Sequence, residues 1–184
     1  MQPAYWDPVP YARSLVTTTT GSPVFTGVWA ERHWLNVPGP FYGANTDTME
    51  FGREAAPHHV AYAREHEFVY RQPVNAFETE ALVEAARIEP YSGYACDGDD
   101  HWTVGSVRDW WRDRGRVRAW ALAAAAEREA EEDERYRGHH QDAAQGHRDF
   151  AAHIDDSLEA YLRGYLFWLD QRREPRPGEA LPRL

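Results

Sequence analysis

Phe150-Ala-Ala-His-Ile-Asp-Asp-Ser-Leu-Glu-Ala-Tyr-Leu-Arg-Gly-Tyr-Leu-Phe-Trp-Leu169 is the run that decides the fold. Its residues Phe150, Ile154, Leu158, Tyr161, Leu162, Tyr165 and Leu169 recur three and four apart, so a helical backbone lines them up as one apolar stripe. The pattern predicts a helix over about 141–173, a rod of roughly 50 Å at 1.5 Å per residue. A stripe of that kind needs a facing surface. Upstream, Thr103 is a good N-cap, and Val104, Val107, Trp111, Val117, Trp120 and Ala124 give a second helix an apolar side. Gly115 weakens that helix without breaking it. Residues 127–137 are almost all charged, and Gly138 ends the run. Two helices joined there make an αα-hairpin whose tip, 127–148, reads as polar all round.

The N-terminal part has another texture. Residues 1–72 are rich in Pro, Gly and Thr, with short β-type runs. Residues 1–22 read as an arm that Tyr5, Trp6 and Tyr11 could pin to the body. Two strands are expected at 24–30 and 33–37, and a structured loop at 38–48, where prolines and glycines forbid a regular ladder. A hairpin is expected from 59–63 and 67–71, with Val60 and Tyr62 on one face and Phe68 and Tyr70 on the partner's. Pro73 ends it. Asn75-Ala-Phe-Glu78 resembles a capping box opening a short helix to Ile88, which Pro90 closes. The predicted fold class is α+β, a small antiparallel sheet packed against a long αα-hairpin. One domain spans 1–184: the arm 1–22, then sheet, short helix and loops over 23–102, the helical hairpin 103–173 and a tail 174–184.

Composition narrows the classes. The chain has 184 residues and a formal net charge of −10, with 30 carboxylates against 20 basic residues. All the basic residues are arginine, which excludes a Schiff-base or phosphate-loop lysine. The field repels a phosphate backbone, so no nucleic acid is expected, and a basic protein partner or a small molecule is favoured. One cysteine allows no internal disulfide. No apolar run is long enough to span a bilayer, so a soluble cytoplasmic protein without a membrane role is expected. Eight tryptophans point to a ring-rich core with rings free to line a pocket.

Two loops carry the candidate chemistry. Tyr94-Ala-Cys-Asp-Gly-Asp-Asp-His-Trp102 crowds a cysteine, three aspartates and a histidine between rings. Its order of carboxylates and glycine is wrong for an EF-hand. Cys96 and His101 supply two metal ligands without a second pair at zinc spacing. The plainer reading has Asp99 or Asp100 binding the amides that open the Thr103 helix. The second loop, 29–48, mixes His33, Trp34, Phe41, Tyr42, Asn45 and Asp47, which is how a ligand pocket is lined; its plainer reading is a proline-rich cover over a sheet edge. If the loops face each other, His33, Asp47, Asp99 and His101 converge, and two histidines with a carboxylate suit non-haem iron. His33, Asp47 and His101 are then the catalytic candidates, and Trp34, Phe41, Tyr42, Asn45 and Asp99 the ligand-binding ones. His139, His140, His147 and His153 read as solvent-exposed, and His58-His59 as a surface strand entry. No dinucleotide motif or nucleophile elbow occurs.

Several runs resemble a family of small actinobacterial proteins sometimes labelled "ferredoxin". They are Trp34-Leu-Asn-Val-Pro-Gly-Pro-Phe-Tyr-Gly-Ala-Asn-Thr-Asp-Thr48, Val69-Tyr-Arg-Gln-Pro73, Gly93-Tyr-Ala-Cys-Asp-Gly-Asp-Asp-His-Trp-Thr103 and Trp110-Trp111, across about half the chain. Where that pattern carries a Cys-Trp pair, this chain has Met49-Glu50. The resemblance implies a shared fold rather than an activity. An iron–sulfur cluster needs four protein ligands, mostly cysteines, and one cysteine cannot supply them.

The leading functional expectation is therefore an acidic soluble binding protein, of the kind that inhibits a basic toxin or enzyme as an immunity protein does. The alternative is a small enzyme of specialised metabolism, metal-assisted or not, with its site between the 29–48 and 94–102 loops. A homodimer through the long helices is a third.

Overall fold

The structure is a computed structural model that describes residues 5–17, 23–47, 49–64, 66–131 and 134–184. Its largest element is α4 (Val104–Glu129). Thr103 Oγ1 accepts the Ser106 N–H while Ser106 Oγ accepts the Thr103 N–H, so the helix opens on a reciprocal cap. Two further helices, α5 (Arg137–Asp156) and α6 (Leu158–Gln171), follow it. The expected single rod is thus two helices. At Ser157 the backbone leaves the helical well (φ −128°, ψ −17°), and the Ser157 hydroxyl lies 2.8 Å from His153 Nδ1.

The stripe behaves as its spacing dictates. Phe150, Ile154, Leu158, Leu162 and Tyr165 are buried in one cluster with Val107 and Val117, and Trp111 and Trp120 pack on its edge. Leu35, Val37, Phe68 and Tyr70 reach into the same cluster, which makes it the seam between the helical hairpin α4–α5 and the loop-rich part. The hairpin tip is less polar than expected. Ala143, Ala144, Gly146 and His147 are buried because Arg53 crosses to α5 and grips Asp142 with two hydrogen bonds, 2.6 and 3.0 Å. Residues 132 and 133 of the tip lie outside the described residues.

Among the described residues the loop-rich part holds two two-stranded antiparallel sheets. In one, β1 (Tyr42–Gly43) pairs with β4 (Tyr94–Ala95), Tyr42 opposite Ala95. In the other, β2 (Val60–Ala63) pairs with β3 (His66–Val69), Val60 opposite Val69 and Ala63 opposite His66, where the hairpin was expected. The strands expected at 24–30 and 33–37 do not form. Residues 29–31 make a single 3-10 turn, and 33–36 close a turn through Asn36 N–H to His33 O, 3.1 Å. Helix α3 (Ala76–Ile88) starts where expected, with Asn75 Oδ1 accepting the Glu78 N–H at 2.9 Å. Two helices arise without a sequence signal: α1 (Val9–Thr17), inside the arm, and the short α2 (Phe51–Ala55). Residues 1–4 and 18–22 of the arm lie outside the described residues. Tyr5 is buried against Tyr161, Tyr165 and Trp168, as the pinning role expected of it requires.

Prolines and glycines deny this part a broad ladder, yet buried amides still need partners. Side chains provide them. Asn36 gives its amide to His33 O and Gly43 O, each at 2.7 Å, and its Oδ1 accepts from Gly43 N–H and Val69 N–H, each at 2.9 Å. Gln72 does the same for Val37 and Phe41. Glu89 accepts from the amides of Asp47, Tyr91 and Gly93. Among the described residues no helix is long and apolar enough to cross a membrane.

Candidate functional site

The loops 29–48 and 94–102 do lie side by side, apart from Thr48, which is outside the described residues. β1 pairs with β4, Gly98 N–H donates to Pro40 O at 2.9 Å, and the Trp29 and His101 rings stack at 4.8 Å. A hollow opens between the β2–β3 hairpin and the helices α4 and α5. It measures about 780 Å³ and is walled by His33, Trp34, Tyr62, His66, Trp120 and His147, with Arg64, Glu127, Arg128 and Glu131 among its charged lining.

A chain of ring contacts builds its floor. His33 stacks on Phe68 at 5.6 Å, Trp120 meets Phe68 edge-on at 5.7 Å, and His147 meets Trp120 edge-on at 5.3 Å. Trp34 joins Trp120 edge-on at 6.3 Å, and the Arg116 guanidinium lies over the Trp34 ring, 4.2 Å from its centroid. Aromatic contacts of this kind are directional, so the floor holds its shape.

Backbone partners fix the proton positions on the three histidines. The Leu35 N–H can only donate, and it donates to His33 Nδ1 at 3.3 Å; the neutral ring therefore carries its proton on Nε2. A carbonyl can only accept. Thr46 O lies 3.0 Å from His66 Nδ1, so that nitrogen carries a proton, and in the neutral ring the lone pair is on Nε2. Tyr62 O lies 2.7 Å from His147 Nε2, which leaves His147 Nδ1 as a buried acceptor without a partner. Burial, then the His66 ring, lowers the His33 pKa to about 4, and burial lowers that of His147. Both are neutral imidazoles near pH 7.

The other expected site residues scatter. Of the eight, His33 and Trp34 line the cleft. Phe41 is core. Tyr42 donates to Asp97 Oδ1 at 2.8 Å, and Asn45 is exposed. Asp47 is buried beside Glu89; its Oδ1 accepts the Met49 N–H, its Oδ2 has no partner, and burial raises its pKa. His101 rests on Trp29 with Asp97 at 3.4 Å. Asp99 does not cap α4, since Thr103 and Ser106 do; it accepts from Tyr165 OH at 2.8 Å and Trp168 Nε1 at 3.3 Å, and burial pushes its pKa up to about 6. His33, Asp47, Asp99 and His101 therefore share no centre. Among the described residues no group of three or more His, Cys, Asp or Glu side chains is placed to hold a metal ion. Burial pushes the Cys96 thiol up to about 11, away from the reactive thiolate.

Four cleft residues escaped the sequence reading as site candidates: Tyr62, His66, Trp120 and His147. The available signal was the face alternation of the hairpin and the one-turn spacings of α4 and α5, which the core explained equally well. His147 and His153, expected in solvent, are buried, as is His59. No family model, curated protein or solved structure matches the chain.

Proposed function

We propose that this protein binds a small organic molecule in the cleft between the β2–β3 hairpin and α4–α5, and that it acts there as a small enzyme. One observation carries the reading. A hollow of about 780 Å³ sets imidazoles with free ring nitrogens among tryptophan and tyrosine rings. Small-ligand sites have this size and mixture: rings exclude water, and a few polar atoms orient the guest. The reading moves the site from the 29–48/94–102 junction to the other side of His33. Capture of a basic protein rests on net charge, and it draws less support from the hairpin tip. Three carboxylates there, Glu127, Glu129 and Glu134, already pair with Arg64, Arg148 and Arg137.

Ligand-observed NMR with a set of ring-bearing fragments tests the proposal. Ala124 lines the cleft from α4, so Ala124→Trp fills the hollow without removing a wall. Fragments are expected to bind the native protein and to lose binding to Ala124→Trp, with Tm and far-UV circular dichroism preserved. Equal binding to both would place the ligand elsewhere.

A further inference from the structure

Resting on the cleft reading, we propose that His66 and His33 form an acid–base pair that moves a proton on the carbon next to a carbonyl group, in an aldehyde or ketone bearing a ring. The pair is set up by opposite tautomers. His66 presents a lone pair at Nε2, because Thr46 O holds its Nδ1 proton. His33 presents a proton at Nε2, because the Leu35 N–H occupies its Nδ1. Neither Nε2 has a hydrogen-bond partner among the described residues, and both rings line the same hollow, with centroids 6.4 Å apart. Each ring nitrogen reaches roughly 4 Å from its own centroid through a hydrogen bond of about 2.9 Å. A carbonyl oxygen and its neighbouring carbon can therefore touch both rings at once.

The step balances without a co-reactant. His66 Nε2 takes the proton from the carbon; the C–H pair becomes the new C=C bond, and the carbonyl π pair moves onto oxygen. That oxygen accepts a hydrogen bond from His33 Nε2–H, which opposes the charge as it develops. His66 then returns the proton to the same carbon or to the oxygen, giving exchange or the enol. The His33 pKa of about 4 supports this division of roles, since a ring that stays neutral donates its hydrogen bond without competing for the proton. Trp34, Trp120 and Tyr62 supply the apolar walls that select a ring on the substrate.

The cleft's remaining histidine and its arginines do not offer a second such pair. His147 Nδ1 is buried, Arg128 is tied to Glu50 at 2.6 Å, and Arg64 is paired with Glu127.

The experiment follows deuterium uptake at the methylene of phenylpyruvate and of 1-phenyl-2-propanone in D2O by proton NMR, with binding of the same probes read separately by saturation transfer. Native protein is expected to exchange the methylene of at least one bound probe above the buffer rate. His66→Gln should bind it and lose exchange by roughly 10²- to 10⁴-fold, the span usual for general acid–base catalysis. His33→Phe should also bind it and slow exchange, and His33→Gln, which keeps an N–H donor, should recover part of the rate. A bound probe without exchange, or exchange unchanged in His66→Gln, overturns the acid–base pair and leaves the binding reading standing. Failure of both probes to bind, while other fragments occupy the cleft, overturns the carbonyl assignment; failure of every fragment overturns the cleft reading itself.

Discussion

Asn36 shows how much one side chain does in a segment that prolines keep from pairing. Its four hydrogen bonds tie the 33–36 turn to β1 and β3, and they set the backbone from which His33 enters the cleft. Replacing it by Leu strands the buried N–H groups of Gly43 and Val69, while His33 O and Gly43 O keep the backbone donors Asn36 N–H and His33 N–H. Each such group costs about 1–3 kcal/mol when water cannot reach it, and partial relaxation reduces the sum. Asn36→Leu is expected to lower unfolding free energy by about 3 kcal/mol or more in urea titration. A change within about 0.5 kcal/mol, the scatter of neutral surface substitutions, would show that water replaces the amide. His33 and Trp34 were legible as site candidates because rings and polar tips cluster around them. Asn36, Gln72 and Glu89 were not, because a loop polar residue that replaces a ladder looks, in sequence, like one that faces solvent.

At the scale of elements, apolar spacing was the readable part. It located α3, α4 and the stripe of α5 and α6, because a helix buries a face whose period survives in the sequence. Leu158 is fully buried at the start of α6, and Leu158→Ala is expected to cost roughly 2–5 kcal/mol by urea titration. The break at Ser157 left no such trace: no Pro or Gly stands there, and the stripe runs through it unbroken. The strands expected at 24–30 and 33–37 failed for a related reason. Their residues alternate acceptably, but their amides go to turns, to Ser92 and Tyr94, to Gly43 and to Val69 instead of to one partner strand. Gly146 offers the sharpest test of the packing between elements. On intrinsic propensity, Gly→Ala inside a helix gains up to about 1 kcal/mol. Here a Cβ would stand 2.4 Å from Arg53 Nη1 and 2.7 Å from Cζ. The guanidinium cannot step aside cheaply, since it also donates to Pro57 O at 2.7 Å and holds Asp142. Gly146→Ala should therefore destabilise by about 1–3 kcal/mol, the usual cost of overpacking. A stabilised variant would mean that Arg53 is free to move.

Across the whole molecule, buried histidines and buried carboxylates set opposite pH dependences. His33 and His153 have folded pKa values of about 4 and about 3, with burial as the first cause, and burial also lowers those of His59 and His147. Unfolded, these rings take up protons below about 6.5. Their effect is to remove stability as pH falls from there toward the folded values. Glu67 works the other way. It is fully buried, and although Tyr94 OH and Gly52 N–H donate to it, burial wins and raises its pKa to about 7. Asp99 is raised to about 6. The folded protein thus holds carboxyl protons that the unfolded chain has released, so these two groups remove stability as pH rises from about 4 to about 7. Between roughly pH 4.5 and 6.5 the two sets oppose each other, and the native profile should be shallow. Glu67→Gln keeps an amide of the same shape and deletes one carboxyl arm. Its stability relative to the native protein should then climb by about 1 kcal/mol per pH unit from pH 4.5 to 7, near 3 kcal/mol in all. Urea titrations of both proteins at pH 4.5, 5.5, 6.5 and 7.5 measure the difference directly. A gap that stays constant across those four values would mean that Glu67 is charged in the fold throughout, and that its two donors outweigh its burial.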